Sequence, residues 1–156
     1  MTESSAPQKQ FAIQKLYLKD ASFESPDAPH SFSFTRWDPK IDLNLSNTNA
    51  HVDGDIYEAV LCVTATIKLE EKTAYLAEIQ QSGIFTITGY EDQELGFMVG
   101  AFCPNILFPY AREAISDLVS RGGFPQLALA PVNFDALYHQ HLQQMQEQST
   151  DPATTH

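Results

Sequence analysis

Positive charge is what this sequence has least of. Its 156 residues hold 9 Lys and Arg against 20 Asp and Glu, a net charge of −11. No Lys or Arg follows Arg121. Nucleic-acid binders draw their affinity from Lys and Arg that displace phosphate counterions, so no nucleic-acid partner is expected. An anionic membrane surface is disfavoured for the same reason. Cysteine is scarce too. Cys62 and Cys103 allow at most one bridge, which excludes a disulfide framework and a four-thiolate zinc site within one chain. Long apolar runs are missing: the longest uncharged stretch, Leu95 to Ala111, is interrupted by Gly96, Gly100, Pro104, Asn105 and Pro109 and would make a poor membrane span. The N-terminal residues Met1 to Pro7 lack the basic and apolar regions of a secretory signal. The expected address is the cytoplasm, with no direct membrane insertion.

Catalytic motifs are absent as well. There is no P-loop, dinucleotide fingerprint, GxSxG or HExxH. His139 and His141 are two apart, so on a helix they point to different sides. The acid pairs Glu70-Glu71 and Glu91-Asp92 suit a turn and a helix start. Cys62 and Cys103 read as small buried side chains rather than nucleophiles. The chain is therefore expected to be no enzyme, with no cofactor and no metal site.

What is present is a core. Hydrophobic residues make up 43% of the chain and aromatics 11%, which excludes wholesale disorder. The length suits one domain, expected over residues 11–146 between disordered tails at 1–10 and 147–156. Phe11–Lys19 reads as a strand whose parity switches: Phe11 and Ile13 fall on one face, Leu16 and Leu18 on the other. A bulge, or burial on both faces, would account for that. Asp20 to Lys40 reads as a long connection carrying Phe23, Phe32, Phe34 and Trp37, and four aromatics argue against a merely solvated linker. Ile41-Asp42-Leu43-Asn44-Leu45 alternates as a half-buried strand should. Turn residues follow from Ser46 to Asp55. Tyr57 to Leu69 alternates most clearly, and Thr73–Thr88 returns after a turn at Glu70-Glu71-Lys72, with Gly83 marking a bend or a close approach. The expectation is three or four antiparallel strands joined as a meander.

The second half of the chain changes period. A helix is expected over Tyr90–Phe102, broken by Pro104, and a second over about Phe108–Arg121, where Pro109 suits only the first turn. Gly122-Gly123 caps it. After an extended connector, Asn133 can cap a third helix whose Phe134, Leu137, Tyr138, His141, Leu142 and Met145 share a face. Strands followed by helices imply the α+β class: a four-stranded antiparallel sheet followed by packed helices.

Two apolar features have no obvious place in such a core. On Thr73–Thr88, Leu76 falls on the polar parity two residues from Glu78, which suggests either a scattered surface leucine or a small docking patch. The apolar strand Ile41–Leu45, the aromatic loop and three apolar helix stripes also exceed what one small sheet needs to cover. Such a surplus fits an ordinary core or an exposed groove for extended apolar segments.

Four segments then carry a family resemblance. Cys103-Pro104-Asn105-Ile106-Leu107-Phe108-Pro109-Tyr110-Ala111-Arg112-Glu113 resembles the signature of SecB, the bacterial protein-export chaperone family. So do Gly123-Phe124-Pro125-Gln126-Leu127 through Leu129 to Leu137, Lys19-Asp20 with Ser22-Phe23-Glu24 and Ala28-Pro29-His30, and Gln80-Gln81-Ser82-Gly83-Ile84-Phe85. The resemblance covers about residues 11–142. It implies a homotetramer built as a dimer of dimers, binding unfolded precursor proteins without ATP and passing them to SecA, the motor ATPase of the translocon. It places SecA-docking groups at Asp20, Glu24, Leu76 and Glu78. It places the lining of the groove for unfolded polypeptide at Phe34, Trp37, Ile41, Leu43, Leu45, Tyr138 and Leu142. The expected function is that of an ATP-independent holdase. The alternatives are an adaptor that binds only folded partners through its acidic face and, more remotely, a small hydrolase or isomerase.

Overall fold

The computed structural model describes residues 8–150, with side chains to Ser149. Residues 1–7 and 151–156, within the two tails expected to be disordered, lie outside the described residues. The elements are β1 (Gln10–Glu24), a short 3-10 turn (His30–Ser33), β2 (Lys40–Asp53), β3 (Ile56–Leu69) and β4 (Lys72–Thr88). Then come α1 (Asp92–Phe97), a π turn (Met98–Phe102), α2 (Cys103–Arg121) and α3 (Phe134–Thr150). The first strand and the last helix thus reach beyond the expected domain bounds, by one residue and by four.

The four strands form one antiparallel sheet in the order β1-β4-β3-β2. The chain is α+β as expected, but the sheet is not a four-strand meander. β2, β3 and β4 follow one another through two tight turns, with positive φ at Gly54 and at Glu70 and Glu71. β1 pairs with the far side of β4, so the connection over residues 25–39 must cross the end of the sheet. Strands β1 and β2 are longer than their alternation suggests. The polar residues Asn47, Thr48 and Asn49 continue β2 because β3 supplies their ladder partners, Leu61, Val60 and Ala59.

The parity switch in β1 is caused by bulges. The register slips between Ile13 and Lys15 and again between Leu18 and Asp20. The first slip brings Leu16 and Leu18 onto the face of Phe11 and Ile13. The second turns Ala21 and Phe23 inward and Asp20, Ser22 and Glu24 outward. Gly83 is the expected close approach: a Cβ there would sit 2.7 Å from the ring of Phe85.

The core lies between the inner sheet face and α2. Leu61, Val63, Ala65, Tyr75, Ala77, Ile79 and Phe85 meet Leu107, Ala111, Ile115 and Val119, all fully or almost fully buried. The helical path does not break at Pro104, contrary to expectation. It continues from Asp92 to Arg121 because the N–H of Cys103 donates five residues back, to the Met98 carbonyl. The wider turn restarts the ladder and leaves Pro104 in the first turn of α2, where its missing N–H is of no consequence. Pro109 lies inside α2 rather than at its start. The lost backbone bond is offset by seven buried side chains along the helix. Gly123, at φ +85°, ends α2 in a Schellman motif, with Phe124 N–H bonded to Val119 O and Gly123 N–H to Ser120 O. Asn133 caps α3 as its position suggests, accepting the Ala136 N–H at 3.1 Å.

Candidate functional site

Among the described residues β2 is an edge strand, paired only with β3. Its inward parity is Ile41, Leu43, Leu45 and Asn47, opposite Ile67, Ala65, Val63 and Leu61. The partners on β3 are buried, yet Ile41 is 51% exposed and Leu43 and Leu45 are half-buried. The strand therefore presents an apolar stripe that is covered only in part.

Each end of the stripe leads to a further apolar surface. At its start, Phe34 and Trp37 lie 5.1 Å apart, Trp37 lies 6.2 Å from Phe124, and Phe32 stacks on Phe124 at 4.9 Å. The aromatic loop is thus folded onto the chain that follows α2, and through Phe124 onto Tyr75 at 4.9 Å. Phe32 and Phe34 remain exposed. Past Leu45 the stripe enters a groove of about 530 Å³ between β2 and α3, with Leu61, Val99, Tyr138, Leu142 and Met145 among its walls. Asn47 ties the strand to the groove floor, its side-chain N–H donating to Val99 O at 3.3 Å.

Of the residues implied by the resemblance, Leu45, Tyr138 and Leu142 meet in this groove. Phe34 and Trp37 meet each other in the aromatic cluster, and Ile41 and Leu43 occupy the strand between. Sequence reasoning missed Leu61, Val99, Gly96 and Gly100. The available signal was the four-residue spacing of the two glycines, which puts both on one helix face.

The outer sheet face carries a second constellation. Glu24 stands opposite Leu76, Ser22 opposite Glu78 and Asp20 opposite Gln80. Paired residues share a face, so Asp20, Glu24, Leu76 and Glu78 cluster at one end of the sheet, on the side away from α2. Leu76 and Glu78 are half-buried, and Asp20 and Glu24 are exposed. The Cys62 thiol lies 3.6 Å from the Glu78 carboxylate. Its pKa is raised by burial and, secondarily, by that carboxylate. Farther along the face, the Tyr17 hydroxyl donates to Glu58, which Lys19 also approaches at 2.9 Å. These two donors, Tyr17 first, hold the Glu58 carboxyl below its ordinary range. Burial, then the bond to Glu58, pushes Tyr17 up to about 12.

Among the described residues, no three His, Cys, Asp or Glu side chains converge as a metal site requires. No helix among them is long and apolar enough to cross a membrane.

Comparisons with known proteins identify the family. The chain is 56% identical over 154 residues to the protein-export protein SecB of Methylococcus capsulatus, covering 99% of this chain and 98% of the relative. It is 53% identical over 146 residues to the protein of the same name from Nitrosococcus oceani, covering 93% and 89%. A solved structure of the Mycobacterium tuberculosis SecB-like chaperone Rv1957, in complex with a ChAD peptide from the Rv1956 HigA1 antitoxin, shares the fold with a TM-score of 0.65. It is 19% identical, over 78% of this chain and 90% of the other. Residues 4–145 match the family described as preprotein translocase subunit SecB, and the chain belongs to that family.

Proposed function

We propose that this chaperone of protein export is an ATP-independent, non-catalytic holdase. It captures unfolded precursor proteins in the cytoplasm, keeps them competent for translocation and delivers them to SecA. The observation that carries the reading is the uncovered apolar track from Phe34 and Trp37, along Ile41 and Leu43, to the groove at Leu45, Tyr138 and Leu142. A folded protein hides its apolar side chains, whereas an unfolded chain displays them. Fully burying one Leu or Phe side chain gives about 1.5–3 kcal/mol. Micromolar affinity needs about 8 kcal/mol net of ordering costs, so several anchors must engage along one extended segment.

The working unit in this reading is a homotetramer, a dimer of dimers. Four tracks on one particle raise the effective concentration of the next site for a chain already held. Apolar contact has little sequence preference, so capture is promiscuous and fast-folding chains escape it. A net charge of −11 keeps a protein with exposed apolar tracks soluble. Asp20, Glu24, Leu76 and Glu78 then serve as the SecA-docking face, an apolar anchor among acids suited to a cationic partner and sensitive to salt.

The test mixes the purified protein, without nucleotide, with a denatured precursor as it refolds, and measures mass by light scattering on a column. A complex of tetramer plus precursor, absent with the folded precursor, is expected. Equal binding of folded and unfolded precursor would favour an adaptor working through the acidic face. Leu43→Arg should weaken capture at least tenfold while the tetramer persists, because it puts a charge on the apolar track (roughly 1.4 kcal/mol or more). Glu78→Lys should weaken SecA docking and spare capture; loss of both together would contradict two separate surfaces.

A further inference from the structure

The π turn leaves one carbonyl over. Cys103 N–H reaches five residues back, to Met98 O. The same step would bring Val99 O to residue 104, and Pro104 has no N–H to give. Within α2 that lack costs nothing, but one turn earlier it frees an acceptor. Backbone carbonyls inside a fold are seldom left without a donor. Here the donor comes from the sheet: the Asn47 side-chain amide reaches Val99 O at 3.3 Å.

Packing alone would not choose Asn47. It follows Ile41, Leu43 and Leu45 on the inward parity of β2 and stands opposite the fully buried Leu61. A leucine or valine there would continue the stripe. The amide nitrogen must face Val99 O, which leaves Oδ1 buried with no partner among the described residues. A half-satisfied amide is costly beside an apolar side chain of the same shape.

The place of the bond does account for it. β2 meets the helical layer mainly at the π turn Met98–Phe102, and α3 touches the molecule mainly at the same turn. Asn47 and Val99 line the groove between Leu45 on one wall and Tyr138 on the other. The turn is thus the common footing of both walls. Among the described residues, the bond from Asn47 to Val99 is the one side-chain hydrogen bond that ties β2 to it.

We propose that Asn47 is a positioning residue for capture: through the carbonyl that Pro104 leaves free, it holds the edge strand to the π turn and fixes the spacing of the groove walls before a segment arrives. The proposal rests on the holdase reading of the groove. A wall held in place beforehand need not be ordered when a segment binds. Losing that advance ordering should weaken capture about two- to tenfold.

The experiment measures affinity, by fluorescence anisotropy, for a labelled unfolded peptide with several apolar side chains. It compares the unaltered protein with Asn47→Ala, Pro104→Ala and the double variant. Asn47→Ala should bind about two- to tenfold more weakly. Pro104→Ala gives residue 104 an N–H, which claims Val99 O for the helix and releases Asn47. Alanine suits a helix better than proline, so that change does not endanger folding. Pro104 is buried and does not line the groove, yet this variant should weaken capture as much as Asn47→Ala, and the double variant no further. If Asn47 served only to satisfy a stray carbonyl, Pro104→Ala would be harmless and would restore Asn47→Ala. That result, additive losses, or unchanged binding in Asn47→Ala would overturn the positioning role and leave the groove standing. Failure of the unaltered protein to bind the peptide would overturn both readings.

Discussion

Helices α2 and α3 are similar in length and both amphipathic, yet they serve different ends. Along α2, Leu107, Ala111, Ile115 and Val119 are fully buried against β4 and β3. Along α3, Phe134 is the one buried residue among those described, and Leu137, Leu142 and Met145 stay exposed. An apolar stripe states that a face seeks cover. It does not state whether the cover is the protein's own sheet or something that arrives later. In α2 the stripe is satisfied within the fold. In α3 it is left over, and it faces the equally uncovered edge of β2.

The largest contrast between the two helices should appear in global stability. Ile115→Ala on α2 should cost about 2–5 kcal/mol, read as a lower urea midpoint, because the closed core cannot collapse around the cavity. Leu142→Ala on α3 should cost less than about 0.5 kcal/mol and leave that midpoint almost unmoved. Comparable losses at the two positions would mean that α3 belongs to the core after all.

Alkali should discriminate next. Burial pushes the Cys103 thiol, at the start of α2, from an ordinary value of 9.0 up to about 12. Tyr75, beneath the same layer, is pushed from 10.0 up to about 12, again by burial. Both groups are held neutral in the folded state. Each contribution is therefore complete below the unfolded value and is lost as pH rises toward the folded one. Urea midpoints should fall between pH 9 and 12, and Cys103→Ala should lessen the part of the fall that begins near pH 9, to which the raised Cys62 also contributes. An unchanged fall in that variant would remove the thiol from the account.

The smallest effect should be local. Asn133→Ala deletes the cap of α3 and should cost about 1 kcal/mol, seen as faster amide exchange confined to α3 rather than as a shift in the global midpoint. Faster exchange spreading into α2 would show the two helices to be one cooperative unit.

How far the fold was legible follows from the same contrast. The alternation of Tyr57 to Leu69 and of Tyr75 to Ile87 located the sheet core because one face of each strand is buried and the other is not. The parity switch in β1 pointed to a bulge, although not to two. The polar half of β2 was illegible because partner strand, not propensity, makes it a strand. Pro104 read as a break because proline ends an ordinary helix, and nothing in the sequence announced the π turn that admits it. The resemblance pointed to Leu45, Tyr138 and Leu142, which the structure brings together at the groove. No residue pattern announced that Phe34 and Trp37 would be gathered onto Phe124, since that cluster joins segments nearly ninety residues apart. Gly96 and Gly100 read as punctuation, because nothing in the sequence says that Tyr138 of a later helix closes against them.

The strand order also has a consequence in time. β1 is the first strand to be synthesised, yet its partner is the last: Gln10 pairs with Thr88 and Glu24 with Leu76. The hairpins of β2, β3 and β4 close locally, whereas β1 must wait. At ordinary translation rates the stretch between Glu24 and Thr88 takes roughly 3 to 13 seconds to emerge. Throughout that interval Phe11, Leu16 and Phe23 have no sheet to cover them. A newborn copy is thus, for some seconds, an extended apolar segment of the kind that finished copies are proposed to hold.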